Sequence, residues 1–382
     1  MKATIAIILI VVFAPGVGLA QSNIYDSIYV GKRWRTYLTH LPKGFNNNKY
    51  YPLVLAFHGG QNNNASAGWT AIAYQSKLSQ KADAEGFIVV YPEGTVFNNN
   101  RTWNAGNCCP PAMNQKVDDV GFVDHLLDTL FADYPIDSSR VYATGSSNGG
   151  MLCYRLACEL SNRFAAVAPN ACSQMYFPCQ PTRKIPIINF HSLADKEVPV
   201  EGGIGTGPSG VKMTSQDSTL QIWRQLNNCT SVGKEIDGNG SNFDFKRMYN
   251  CDCGVEFHHY LTTDGGHSWP GGNPNNNPVS TQISATDLLW SFFSRYTLNC
   301  EPINATENAH RGPELYPNPA NEEIYISHLS ESLPYVIFNT LGQLMQSGQT
   351  GASIPVDVLP SGIYTIKIGK HQHFKTYKFV RQ

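Results

Sequence analysis

The chain has 382 residues, 42% hydrophobic and 15% charged, with a formal net charge of −1. That apolar content supports a large core plus a smaller domain and excludes a disordered chain. A near-zero charge without a run of Lys or Arg argues against nucleic acid or an anionic membrane as partner.

Residues 1–20 have the pattern of a signal peptide: Lys2, an apolar core from Ile5 to Phe13, and Gly18-Leu19-Ala20 as a small-residue cleavage site. The run is too short for an anchor and is followed by Pro15 and Gly16, so export without stable membrane insertion is expected. Ten cysteines behind such a leader read as disulfides. There is no Cys-x-x-Cys pair and no finger-spaced histidine, so neither a metal nor a cofactor is expected. The neighbours Cys108 and Cys109 are expected to bond to two separate partners, because a bridge between adjacent residues is strained.

From Ser27 to Leu41 partial alternation predicts one or two antiparallel edge strands. Tyr51 to Phe57 is a continuous apolar run, as for a strand buried on both faces, and ends in His58-Gly59-Gly60-Gln61. Spacing predicts a helix from Trp69 to Glu85, a strand from Phe87 to Tyr91, and a helix from Asp118 to Tyr134 with both Asp118 and Asp119 as capping carboxylates. Arg140 to Ala143 reads as a strand, Gly145-Ser146-Ser147-Asn148-Gly149 as a tight turn, and Met151 to Leu160 as a helix. Strand, G-x-S-x-G and helix in that order are the context of a nucleophile elbow. Buried runs at 164–168, 185–190 and 257–261 and helices at 215–226 and 284–296 continue the alternation. The pattern predicts a mainly parallel sheet with helices on both faces. Residues 300–313 read as a polar linker, and 314–382, alternating and punctuated by glycine, as a small all-β sandwich.

A serine nucleophile needs a base, and the base needs a carboxylate that orients it. Asp195, with Glu197 as competitor, lies on the loop after 185–190, and His267 lies on the glycine-flanked loop after 257–261. His191 is expected to make a hydrogen bond beneath the site, and His58 to brace the loop at Gly59-Gly60.

The segments His58-Gly-Gly, Trp103-Asn-Ala-Gly-x-Cys-Cys, Asp118-Asp-Val-Gly-Phe, Gly145-x-Ser-Asn-Gly-Gly-Met, His191-x-x-x-Asp-x-x-Val-Pro and Gly265-Gly-His-x-Trp-Pro-Gly stand in this order between residues 28 and 298. Together they resemble the polyhydroxybutyrate depolymerase/feruloyl esterase family of secreted α/β-hydrolases. The resemblance implies Ser147 as nucleophile, Asp195 as acid, His267 as base, and the N–H groups of Gly60 and Asn148 as the oxyanion hole. Trp103 and Trp269 are candidates for substrate contact. Ser192 departs from the glycine the family places after the histidine. The implied substrates are feruloyl or similar esters on plant cell-wall polysaccharide, with a short hydroxyacid polyester as the alternative and an inactive surface binding module as a remote one. Residues 314–382 resemble the sorting domain of type IX secretion, through Leu315-Tyr-Pro-Asn-Pro-Ala-Asn321, Asn339-Thr-Leu-Gly-Gln343 and Leu359-Pro-Ser-Gly-Ile-Tyr364. This implies the type IX machinery as partner and an extracellular or cell-surface location.

Overall fold

A computed structural model describes residues 23–61, 68–235, 243–298, 315–316, 320–326, 332–340, 342–350, 353–370 and 373–381. The leader and the linker expected from the sequence lie outside the described residues. The chain divides into two units, residues 1–303 and 304–382.

The first unit is built on ten strands: β1 (Asn23–Val30), β2 (Arg33–His40), β3 (Tyr51–Phe57), β4 (Ile88–Pro92), β5 (Ile136–Ser146), β6 (Ala166–Asn170), β7 (Ile187–Ser192), β8 (Ser231–Glu235), β9 (Phe243–Tyr249) and β10 (Phe257–Thr262). They form one sheet ordered β1-β2-β4-β3-β5-β6-β7-β10-β9-β8. The body from β4 to β10 is parallel, and both edges are antiparallel.

The run 51–57 shows why the body sits inside. Leu53, Leu55 and Phe57 enter one core while Val54 and Ala56 enter the other, as the two-residue period of a strand dictates. On the first face lie α3 (Asp119–Asp133), α4 (Asn148–Glu159) and α5 (Gln216–Leu226), through Phe122, Leu126, Leu152 and Trp223. On the other lie α1 (Gly68–Ser76), α2 (Leu78–Glu85) and α6 (Ala285–Phe293), through Ile72, Leu78 and Leu289. Each fully buried Leu or Phe contributes about 1.5–3 kcal/mol by leaving water. This is the α/β-hydrolase architecture.

The structure corrects several expectations of the fold. The helix expected over 69–85 is two helices, α1 and α2, because Lys77 takes a left-handed conformation (φ 56°) between them. Thr286 Oγ1 and Lys77 Nζ fix that break by donating to the carbonyls of Ser76 and Gly271. Asp118 does cap α3, accepting from the N–H of Gly121 at 2.8 Å. Asp119 instead is fully buried and pairs with Arg35 at 2.7 Å, because an interior carboxylate needs a cation more than a helix end needs a second acid. The antiparallel hairpin of β8 and β9 extends the sheet where no strand was expected. Its charged residues hide the alternation, while Phe245 packs on Tyr260 with ring centroids 4.5 Å apart.

Cys108 and Cys109 bond to each other, not to separate partners. A cis peptide between them brings their Cα atoms to 3.0 Å, within which the two sulfurs meet. Among the described residues the other bridges are Cys158–Cys179 and Cys229–Cys251, the latter joining the residues just before β8 and just after β9. Cys153 and Cys172 are buried thiols, held well above the usual thiol range by burial, and Cys253 is an exposed thiol.

Among its described residues the second unit has two antiparallel sheets. One runs Leu344–Gln349, Pro334–Asn339, Gly362–Lys370, His373–Arg381, and the other Leu315–Tyr316, Glu323–Ile326, Ile354–Pro355. Ile324, Ile337, Val356, Ile366 and Phe379 fill its own core.

Candidate active site

Ser147 sits between the last residue of β5 and the first of α4, at φ 54° and ψ −124°. A residue with a Cβ is strained there. The two glycines of G-x-S-x-G are required by close approach. A Cβ on Gly145 would stand 2.6 Å from the Gly149 carbonyl, and one on Gly149 would strike the carbonyls of Phe57 and His58. The turn is pinned by the Ser147 N–H donating to Asn170 O at 2.8 Å.

The loop after β3 lies against this turn: a Cβ on Gly59 would be 3.9 Å from Ser147 Oγ. His58 braces it as expected. Its Nδ1 donates to Gly59 O at 2.6 Å, and its Nε2 accepts from the Gly94 N–H at 2.9 Å. Burial pushes that imidazole down to about 3, so it stays neutral and keeps both roles. Asn148 opens α4, where the first N–H groups of a helix have no partner within it. Its side chain clamps the backbone of Trp103, accepting from N–H at 2.6 Å and donating to C=O at 2.9 Å. Trp103 Nε1 in turn donates to His58 O at 3.0 Å.

His267 and Asp195 meet: His267 Nδ1 is 2.7 Å from Asp195 Oδ2. The other oxygen, Asp195 Oδ1, accepts from the N–H groups of Glu197 and Val198, each at 2.9 Å. Burial disfavours the Asp195 carboxylate, but the hydrogen bond and charge of His267, the charge of His191 and the Val198 N–H outweigh it and hold the carboxyl below its usual range. Burial likewise opposes the imidazolium of His267. The hydrogen bond and charge of Asp195, with the charge of Glu197, win and raise it above the usual range. Glu197 stands elsewhere, its Oε2 3.9 Å from His267 Nε2 and its Oε1 accepting from Asn277 Nδ2 at 3.0 Å. His191 is buried beneath, its Nε2 2.9 Å from Val198 O.

Two further side chains tie these loops together, and of them only Asn170 lies outside the motifs. Asn170 Nδ2 donates to Ser146 Oγ at 3.1 Å and to Ser268 O at 3.0 Å. Ser192 Oγ donates to Gly265 O, tying the end of β7 to the loop that carries His267; the departure from glycine thus adds a tether. Asn170 is the last residue of the fully buried β6, but nothing in the sequence says what it holds.

Ser147, Asn148, Gly60, His267 and Glu197 line one cavity of about 660 Å³. Cys109, Pro111, Met151 and Met213 give it an apolar side, and Gln75, Asn275 and Asn277 a side of amides. Trp103 and Trp269 do not line it. Both are buried, and Trp269 donates to Thr286 Oγ1 at 2.9 Å. They are scaffold, which corrects their assignment to substrate contact.

Curated relatives carry esterase names. "Feruloyl esterase B" of Piromyces equi is 28% identical over 61% of this chain, which spans 42% of the length of that protein. "Probable feruloyl esterase C" of Aspergillus terreus is 29% identical over 68% of this chain and 84% of its own. An acetyl xylan esterase structure from Aspergillus awamori has a TM-score of 0.48 at 13% identity, over 71% of this chain and 99% of that one. Residues 314–382 match the secretion system C-terminal sorting domain, which marks a secreted protein. Among the described residues no helix is long and apolar enough to cross a membrane. The sequence model described as "Putative esterase" matches residues 30–231, more than half of the 382, and the chain therefore belongs to that esterase family.

Proposed function

We propose that the chain is a serine carboxylic-ester hydrolase, with Ser147, Asp195 and His267 as its triad, that removes feruloyl or similar acyl groups from plant cell-wall polysaccharide. The observation that carries this is the placement of His267, held by Asp195 at 2.7 Å, in the same cavity as the strained Ser147. His267 takes the proton of Ser147 as Oγ attacks the ester carbonyl. The N–H groups of Gly60 and Asn148 receive the oxyanion, and the protonated His267 gives its proton to the departing sugar oxygen. Water, deprotonated by His267, then cleaves the acyl-enzyme. Asp195 holds the imidazole in the tautomer this requires.

The feruloyl esterase names of the relatives support the acyl class, and the amide side of the cavity suits a hydroxyl-rich alcohol. The relatives reported above give the polyester alternative no support of its own, and an inactive binding module would call for a missing catalytic group. The test is a side-by-side assay on methyl ferulate, acetylated xylan and polyhydroxybutyrate granules. Turnover of the granules alone would overturn the substrate class, and turnover of none would overturn the activity.

A further inference from the structure

The hairpin β1–β2 does not stop where the sheet stops. Tyr37 is level with Pro92, the last residue of β4, so Arg33 to Thr36 run on past the carboxyl end of β4. That is the end from which the loops of the catalytic cavity rise. On this overhang Tyr29 and Trp34 face each other across the two strands, with ring centroids 5.4 Å apart, and they are 60% and 68% exposed. Tyr25, 59% exposed, lies on the same face of β1, about 13 Å along the strand from Tyr29. Single exposed apolar residues are ordinary, but a paired Trp and Tyr on an otherwise polar edge mark a contact surface.

Trp34 also walls a cleft of about 470 Å³, with Arg33, Thr36, Thr95 and Arg101. The cleft and the catalytic cavity share a wall. The backbones of Arg101 and Gln61 exchange hydrogen bonds at 2.8 and 2.9 Å, and Gln61 lines the catalytic cavity. Asn100 and Thr102, on either side of Arg101, line it as well. The short hairpin of Thr95–Phe97 and Asn100–Thr102 is therefore the wall between the cleft beside Trp34 and the cavity of Ser147.

We propose that the Tyr29–Trp34 face is an accessory site for the carbohydrate backbone of the ester-bearing polysaccharide, whose sugar rings stack there while a neighbouring acyl group enters the cavity. Aromatic rings offer pyranose C–H faces apolar area, and the Arg, Thr and Asn side chains of the cleft and hairpin offer hydrogen bonds to hydroxyls. The occupant follows from the cleft adjoining the catalytic cavity across that hairpin, so this inference rests on the esterase reading above.

The test uses the full chain, wild type against Trp34→Ala, Trp34→Phe and Tyr29→Ala/Trp34→Ala. Depletion isotherms on de-esterified arabinoxylan measure binding, and initial rates are taken on methyl ferulate and on feruloylated arabinoxylan. Trp34→Ala leaves methyl ferulate turnover unchanged, while KM on the polymer and the dissociation constant for arabinoxylan each rise about fivefold or more, with Trp34→Phe in between. Equal binding by wild type and the double variant overturns the proposal. So does a wild-type dimer in light scattering that Trp34→Ala dissolves, which would make the face a self-interface. Failure of wild type to hydrolyse any ester would overturn the esterase reading instead, and the isotherm would still judge the platform.

Discussion

The side chain of Asn170 donates to the carbonyl of Ser268 at 3.0 Å, so the strand behind the nucleophile turn and the loop carrying His267 are held by one amide. The same nitrogen donates to Ser146 Oγ, and the backbone carbonyl of Asn170 receives the Ser147 N–H. Asn170→Ala should therefore lower kcat by about tenfold or more by letting Ser147 and His267 drift apart, with KM for a small ester little changed. Steady-state kinetics on 4-nitrophenyl acetate check this, and a thermal melt separates lost alignment from lost fold.

Ser147→Ala should abolish ester hydrolysis while the chain still folds. Ser147→Gly should be as inactive yet more stable by about 1 kcal/mol, since glycine relieves the cost of φ 54° at some expense in unfolded-state entropy. Urea titrations of the three proteins give the order. A glycine variant less stable than wild type would show that the turn holds no relievable strain.

Asp195→Asn should slow hydrolysis far more than Glu197→Gln, because only Asp195 reaches His267 Nδ1. The pH profile distinguishes them further. His267 must be neutral to act as base, so kcat/KM falls as pH drops through its pKa, which is raised by Asp195 and then by Glu197. Glu197→Gln removes one of the charges favouring the imidazolium, so its acidic limb should move to lower pH. A limb moving upward would mean that Glu197 does not act on His267 by charge.

A chain ending after Glu301 should turn over methyl ferulate at close to the full-length rate and yet fail to reach the surface of a type IX-competent host. The sorting domain begins at residue 314, and none of the residues proposed for the chemistry follows His267. Fractionation of cells and medium gives the answer. Normal delivery of the shortened chain would refute the sorting role.

What could be read from the sequence was whatever a local pattern specifies. The seven apolar residues of β3, the G-x-S-x-G turn and the loops holding Asp195 and His267 are of that kind, because strand burial and turn sterics are decided within a few residues. What could not be read depends on partners distant in sequence. Helix spacing reads Asp119 as a cap, and its partner Arg35 lies 84 positions away in sequence. Trp103 and Trp269 looked like substrate contacts because a large aromatic in a loop gives no hint of which way it faces, and both face inward. The strain expected of a bridge between neighbours points Cys108 and Cys109 to separate partners, whereas the two bond to each other across a cis peptide. In each case the missing fact was a neighbour or an isomer, not a residue type.

The Cys229–Cys251 bridge joins the two feet of the β8–β9 hairpin, spanning 22 positions of sequence. Everything between those cysteines is therefore a covalent ring grafted onto the sheet edge. A protease in the extracellular milieu that severed one peptide bond inside the ring would produce a nick and not a fragment, and both halves would stay moored at the same root. A sample nicked there would run as a single band until it is reduced.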